Sequence, residues 1–304
     1  MANKIKRTPE EIAEMLSEQL QNKVEFVKED DTFDFKCQRC GQCCMNRGDI
    51  VLSPFDIYKA AKHLGITHEE FIDKYTNVTL GGGSKLPIVL LKSDSRGWCP
   101  FLNFDIKGGG MFGCTINDVK PGACRNHPIG TATSFDNNDE HVLENMTVEN
   151  LAEAYFKVSQ CDNSKGHNNL VKVADWIAEN KMTANERVAA NRLQLTPITV
   201  FDVPKFAALL ALQVTYPPKY DEYDEQQKEV ADFVVKRSRE LTDYFFSTIL
   251  NLTYIEFTTD RPFCEQAEEN IEKILEVCTE MKKLYEFFLN AFIESGGKEE
   301  DLTR

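Results

Sequence analysis

Positive charge is in short supply in this chain of 304 residues: 35 Lys and Arg face 49 Asp and Glu, leaving a formal net charge of -14 at pH 7 and an isoelectric point near 4.9. A surface of that sign repels phosphate backbones and anionic lipid, whereas nucleic-acid binders display a basic patch or stripe. The trio Lys4, Lys6 and Arg7 reads as a solvated tail, and no nucleic-acid partner is expected. Long apolar runs are missing as well. No stretch approaches the ~20 consecutive apolar residues of a membrane-spanning helix, and no lipidation motif occurs, so no membrane partner is expected. The opening MANKIKRTPEEIAEML lacks the apolar stretch and small-residue cleavage site of a signal peptide, which leads us to expect a cytoplasmic protein with reduced thiols. Signatures of common catalytic machinery are absent too: there is no GxSxG, no HExxH, no Walker loop and no Rossmann fingerprint. Whether the protein is an enzyme is left open by the residues.

Cysteine, by contrast, is abundant and clustered. Four of the ten thiols, Cys37, Cys40, Cys43 and Cys44, fall in the run CxxCGxCC, a density that packing alone does not demand. A Cys-x-x-Cys loop turns both sulfurs toward one ion, and Gly41 permits the positive φ that such a knuckle requires. Neighbouring Cys43 and Cys44 are hard to seat on one small tetrahedral ion, so a second site or a cluster is expected. Cys99, Cys114, Cys124 and Cys161 follow singly and raise the ligand supply to eight. The competing account, a disulfide framework, belongs to oxidising compartments and small secreted domains.

Around the cysteines the pattern is mixed, and an α+β fold is expected. Thr8-Pro9-Glu10-Glu11 opens a helix over roughly 9 to 21; Ser53-Pro54 starts another ending near Gly65; Thr67 and Glu70 cap a third through Tyr75, with His68 exposed in its first turn. Leu86 to Leu91 reads as a buried strand. Trp98 to Ile106 and Met111 to Ile116 form a hairpin whose arms bring Cys99 and Cys114 together. Cys124 follows the turn signal Pro121-Gly122, and Cys161 ends a helix-like segment beginning near Thr147. Beyond residue 168 the texture is helical. Capping signals occur at Thr183 with Glu186 and at Asp202 with Pro204, then come a break at Tyr216-Pro217-Pro218, a charged helix over 222 to 250, a strand-like TYIEF and a helix over 262 to 295. Cys278 lies on the apolar stripe of that last helix and reads as a core thiol; Cys264 also reads as structural. The expected organisation is a lead-in over 1–34, a cysteine-cluster metal-binding domain over 35–180 with a short β-hairpin and helices, and an α-helical domain over 181–304.

The order CxxCGxCC, then WCPFL, GCTI, KPGACRNHP and finally Cys161, resembles the CxxCxxCC cysteine-cluster family, also called YkgJ-like, whose members are described as chelating zinc or iron. The likeness covers about residues 35 to 167. It implies Cys37, Cys40, Cys43, Cys44, Cys99, Cys114, Cys124 and Cys161 as metal ligands. This chain has Lys120-Pro121 where the family often has Arg-Pro, and His127 where an aromatic often precedes the next proline. The cysteine region is also similar to that of flagellin lysine N-methylase. That likeness implies a lysine methyltransferase using S-adenosylmethionine, although the glycine triplets 81–83 and 108–110 belong to expected turns and make no cofactor loop.

Two metals compete. Zinc favours closed four-cysteine sites built from two Cys-x-x-Cys pairs, of which one is present. A 4Fe-4S cluster also takes four thiolates, and the ferredoxin run of CxxCxxC with a later Cys-Pro has counterparts here in Cys37 to Cys43 and Cys99-Pro100. His127 is a candidate nitrogen donor or a simple hydrogen-bonded residue; Arg125 is a candidate donor to the thiolates or an exposed arginine. Two functions follow: a metal-binding module of structural or redox role with a protein partner, or a methyltransferase acting on a protein substrate.

Overall fold

The computed structural model of the chain describes residues 8, 11–14, 25–105, 109–134, 142–158, 164–179, 182–215, 217, 220–294 and 296–303. They divide into two compact units: one holds the described parts of Met1–Val78, Val89–Arg192 and Phe257–Cys264, the other those of Thr79–Ile88, Leu193–Glu256 and Glu265–Arg304. The mixture of small antiparallel sheets and helices, with a helical C-terminal region, is α+β as expected.

In the first unit a three-stranded antiparallel sheet places Ala152–Lys157 between Glu25–Val27 and Ile129–Ser134. The helix expected to run from Thr147 to Cys161 is therefore not formed: a 3-10 turn at Val148–Asn150 leads into this strand. Its Tyr155 is buried against Ile129 and Val27 on one face and its Ala154 against Ile12 on the other, and tertiary pairing on both edges overrides the local helical pattern. Cys161 lies outside the described residues. A second pairing, Thr32–Asp34 with Leu170–Lys172, carries Phe33 and Phe35 under Trp176, whose ring meets theirs edge-on at 5.9 and 5.3 Å. The first helix is described only over residues 11–14, where Ile12 is fully buried against Ala154.

The helices Pro54–Leu64 and His68–Tyr75 begin and end where their caps require. Ser53 with Asp56 and Thr67 with Glu70 close reciprocal capping boxes, and Gly65 ends the first of them in the left-handed region at φ 68°. Val51–Leu52 pairs antiparallel with the strand Pro87–Leu91, and Leu52 and Val89 are buried, as is Ile57 of the helix. His68 departs from expectation: it is 2% exposed, enclosed by the rings of Tyr58 and Phe257 at 5.9 and 5.7 Å. Position in a capped first turn says which backbone groups are free, not which residues from elsewhere cover the side chain.

Burial holds the His68 imidazole down to about 4, although the Phe257 backbone hydrogen bond acts in the opposite direction. The unfolded chain takes up this proton near pH 6.5 and the folded chain only near 4, so stability is full above 6.5 and falls as the pH falls between those values. We expect this histidine alone to account for about 3 kcal/mol of acid destabilisation. Denaturant unfolding of the protein and of His68→Phe at a series of pH values checks it; equal slopes for the two would rule it out.

The second unit is helical. Thr183 and Glu186 cap the helix Ala184–Val200, which enters this unit at Leu193, and Asp202 accepts from the Lys205 backbone to start Val203–Gln213. Glu225–Leu250 follows, opened by a capping box between Asp224 and Gln227. Tyr216 and Pro218 of the expected break lie outside the described residues. Phe201, Phe206, Phe245 and Tyr285 meet in one aromatic cluster, with Phe206 and Phe245 fully buried. TYIEF is no strand; Asn251–Ile255 is a π-helical turn continuing the long helix. Asn270 donates to the carbonyls of Leu252 and Glu256, and the buried Tyr254 hydroxyl accepts from Gln194, which satisfies this turn without a strand partner. In the last helix, Phe263–Glu294, Ile274 and Cys278 are fully buried, as the stripe implied. Among the described residues no single helix is long and apolar enough to cross a membrane; Ala184–Val200 and Val203–Gln213 reach that composition only jointly, across a 63° bend.

Candidate metal centre

The cysteine run leaves the Thr32–Asp34 strand in extended form and then reverses. Arg39 and Gly41 have φ of 52° and 77°, and Gln42–Cys44 closes a 3-10 turn through Cys44 N–H to Gly41 O at 2.8 Å. Gly41 is required here twice over, by its positive φ and because a Cβ would stand 2.9 Å from Cγ of Phe112. Phe112 belongs to the hairpin Leu102–Asp105 with Met111–Cys114, and that hairpin is tied to the knuckle in both directions: Phe112 N–H donates to Arg39 O, and Arg39 Nε donates to Phe112 O, each at 2.9 Å.

Backbone pairing brings the later cysteines to the run. Cys99 N–H donates to Cys44 O at 2.8 Å, next to a bridge between Met45 and Trp98. Cys114 ends the hairpin opposite Leu102, while Cys99 lies just ahead of the first arm, in the turn that Leu102 N–H closes onto its carbonyl. Cys124 sits in a short helix, Gly122–Asn126, where the turn signal alone was legible. Three bonds hold that helix: Gly122 N–H to Asp56 Oδ1 at 3.0 Å, Trp176 Nε1 to Asn126 O at 2.8 Å, and Asn126 Nδ2 to Thr131 Oγ1 at 3.2 Å.

The result is a cavity of about 50 Å³ lined by Cys43, Cys44, Cys99, Cys114, Cys124 and His127. Ile50, Leu91, Phe101 and Ile116 make its wall apolar; Arg47 and Lys120 are its cations. Cys37, exposed, and Cys40, half-buried, do not line it, although both stand in the same run. Among the described residues no three His, Cys, Asp or Glu side chains are already gathered as for one ion. The donors line one wall without closing on a shared point.

Electrostatics explain why a cation suits this wall. The Sγ atoms of Cys43 and Cys44 lie 3.9 Å apart, and their contact lets the pair lose one proton readily: it lowers Cys43 to about 6 and raises Cys44. Burial raises Cys99 and Cys114 and pushes Cys124 up to about 12, with the neighbouring thiols adding to the effect. An apolar cavity ringed by sulfur thus resists a second negative charge until positive charge enters it. Five soft donors and volume above the roughly 10–15 Å³ that a single water needs fit a thiophilic metal.

Sequence reasoning missed three residues. Arg47, paired with Asp49 at 2.6 Å, sits electrostatically beside Cys43 and Cys124; Lys120 does the same for Cys43 and Cys114. Asp56 closes the capping box of Pro54–Leu64 and is also the acceptor that holds the Cys124 helix. Only the position of Arg47 three residues past Cys44 hinted at proximity. Arg125 donates to Asn117 O, and its charge also favours the Cys114 thiolate.

Residues 36–145, about a third of the chain, match the sequence profile of the CxxCxxCC family, described as a "putative zinc- or iron-chelating domain". This span holds seven of the eight expected ligands and ends before Cys161, short of the residue 167 expected. No curated protein and no solved structure matches the chain. The likeness to flagellin lysine N-methylase therefore rests on cysteine order alone.

Proposed function

We propose that this protein is a metal-chelating module whose zinc or iron is held by Cys43, Cys44, Cys99, Cys114 and Cys124, with a structural or redox role. The single observation that carries this reading is the convergence of those five thiols, from four separate segments, on one apolar cavity. Cys37, Cys40 and Cys161 complete the proposed ligand set from the sequence. Sulfur donors select zinc, copper or iron over magnesium and calcium, which require oxygen. Of the two metals named by the family we favour an iron–sulfur centre, because such a cluster takes four thiolates and five thiols line this cavity, Cys43 and Cys99 of the ferredoxin-like pattern among them, although Cys37 and Cys40 of that pattern do not line it. When bound, such a centre supplies cross-linking of distant segments and a site for one electron. The residues of the wall exclude water, and Arg47 and Lys120 offset the negative charge of the thiolates.

The test is anaerobic purification of the full chain followed by elemental analysis for iron, zinc and acid-labile sulfide, repeated on Cys99→Ser and Cys124→Ser. Iron with matching sulfide in the parent and its loss in both variants is the expected result. Zinc without sulfide would keep the chelating role and replace the metal. A metal-free parent, or variants that keep their full metal content, would overturn the proposal.

A further inference from the structure

We infer that His127 is a nitrogen ligand of this centre, making it a mixed thiolate–imidazole site; the inference rests on the metal-binding reading above. His127 follows directly on the helix that carries Cys124 and lines the same cavity as the five thiols. Its ring is packed edge-on against Phe35, centroids 6.1 Å apart, with an interplanar angle of 76°. Nε2 is buried and makes no hydrogen bond among the described residues. A buried ring nitrogen without a partner carries the full cost of its desolvation, so native proteins seldom leave one in place without a use for it. The cations Arg47 and Lys120, which line the same cavity, are able to donate to this lone pair, yet neither bonds to it, and the other polar groups of the lining are thiols. A metal ion among the sulfurs accepts what that nitrogen offers, its lone pair, and imidazole is an accepted ligand of both zinc and iron. In the folded unit the Trp176 and Thr131 bonds to Asn126 hold the segment that bears His127 and so set where its ring stands in the cavity.

The full chain, freed of metal and titrated anaerobically with cobalt(II), tests this alongside His127→Phe, which keeps an aromatic ring against Phe35, and His127→Cys, which restores a donor. X-ray absorption of the loaded samples counts nitrogen and sulfur neighbours. Thiolate-to-cobalt charge-transfer bands report the sulfur ligands, independently of His127. We expect an imidazole shell in the parent that is lost in His127→Phe, with a shifted ligand-field spectrum and affinity weakened about tenfold or more. His127→Cys should regain affinity with an all-sulfur spectrum. Intact thiolate bands with no imidazole shell in the parent, or with spectrum and affinity unchanged in His127→Phe, would overturn the inference and leave the thiolate centre standing. Absence of thiolate bands in the parent would overturn both.

Discussion

Stripping the metal from the loaded protein is expected to unfold the cysteine-bearing unit while the helical unit keeps its secondary structure. The five thiols come from segments joined to one another by a few backbone bonds, around a cavity walled by Ile50, Leu91, Phe101 and Ile116. Binding energy at a structural thiolate site reaches roughly 10 to 16 kcal/mol, more than the net stability of most domains. The molecule offers a selective readout. Its two tryptophans, Trp98 and Trp176, both lie in the cysteine unit, one bridged to Met45 beside the site and the other bonded to Asn126 next to Cys124. Chelation should therefore red-shift tryptophan emission to that of solvated indole, while far-UV circular dichroism retains the contribution of Val203–Gln213, Glu225–Leu250 and most of Phe263–Glu294. Unchanged emission after complete metal removal would refute a structural role for the centre.

Replacing Asp56 by alanine should have the next largest effect. This carboxylate, 5% exposed, works three ways at once: Oδ2 accepts from the Ser53 backbone and hydroxyl, Oδ1 accepts from Gly122 N–H, and Lys59 lies 3.4 Å away. Losing the capping box costs about 0.5 to 2 kcal/mol. Orphaning the Gly122 donor adds about 1 to 3 kcal/mol. We expect a combined loss of about 3 to 4 kcal/mol for Asp56→Ala, with weaker metal retention because the Cys124 helix is no longer tethered. Asp56→Asn keeps an acceptor oxygen for Gly122 and should recover part of both. Denaturant midpoints and metal content of the two variants check this; an Asp56→Ala protein that loses stability yet retains metal as tightly as the parent would sever the tether from the site.

Features written within a few residues were legible in the sequence. Ser53 with Pro54, Thr67 with Glu70 and Thr183 with Glu186 each mark a helix start, and the capping bonds close inside one turn. Ala152–Lys157 was not, because its partners Glu25–Val27 and Ile129–Ser134 are remote in the chain and a short mixed segment has no period that announces them. TYIEF has the composition of a strand, and only Asn270, reaching in from another helix, shows why its carbonyls need none. The burial of His68 likewise depends on Phe257. Within the site, cysteine order identified the residues that line the cavity, yet it could not separate Cys43 and Cys44, which face it, from Cys37 and Cys40, which do not. Cys40 and Cys43 of one Cys-x-x-Cys step part across Gly41, whose left-handed backbone reverses the run between them.

The contact between Gly41 and Phe112 also constrains how such a chain drifts. Position 41 admits no side chain while a phenyl ring occupies the space above it, and the left-handed backbone there penalises nearly every other residue even when the ring is gone. A permissive change must therefore come first at 112, on the hairpin that ends in Cys114, before any replacement at 41 is sterically viable. Mutational histories of the knuckle and the hairpin are coupled in order as well as in identity.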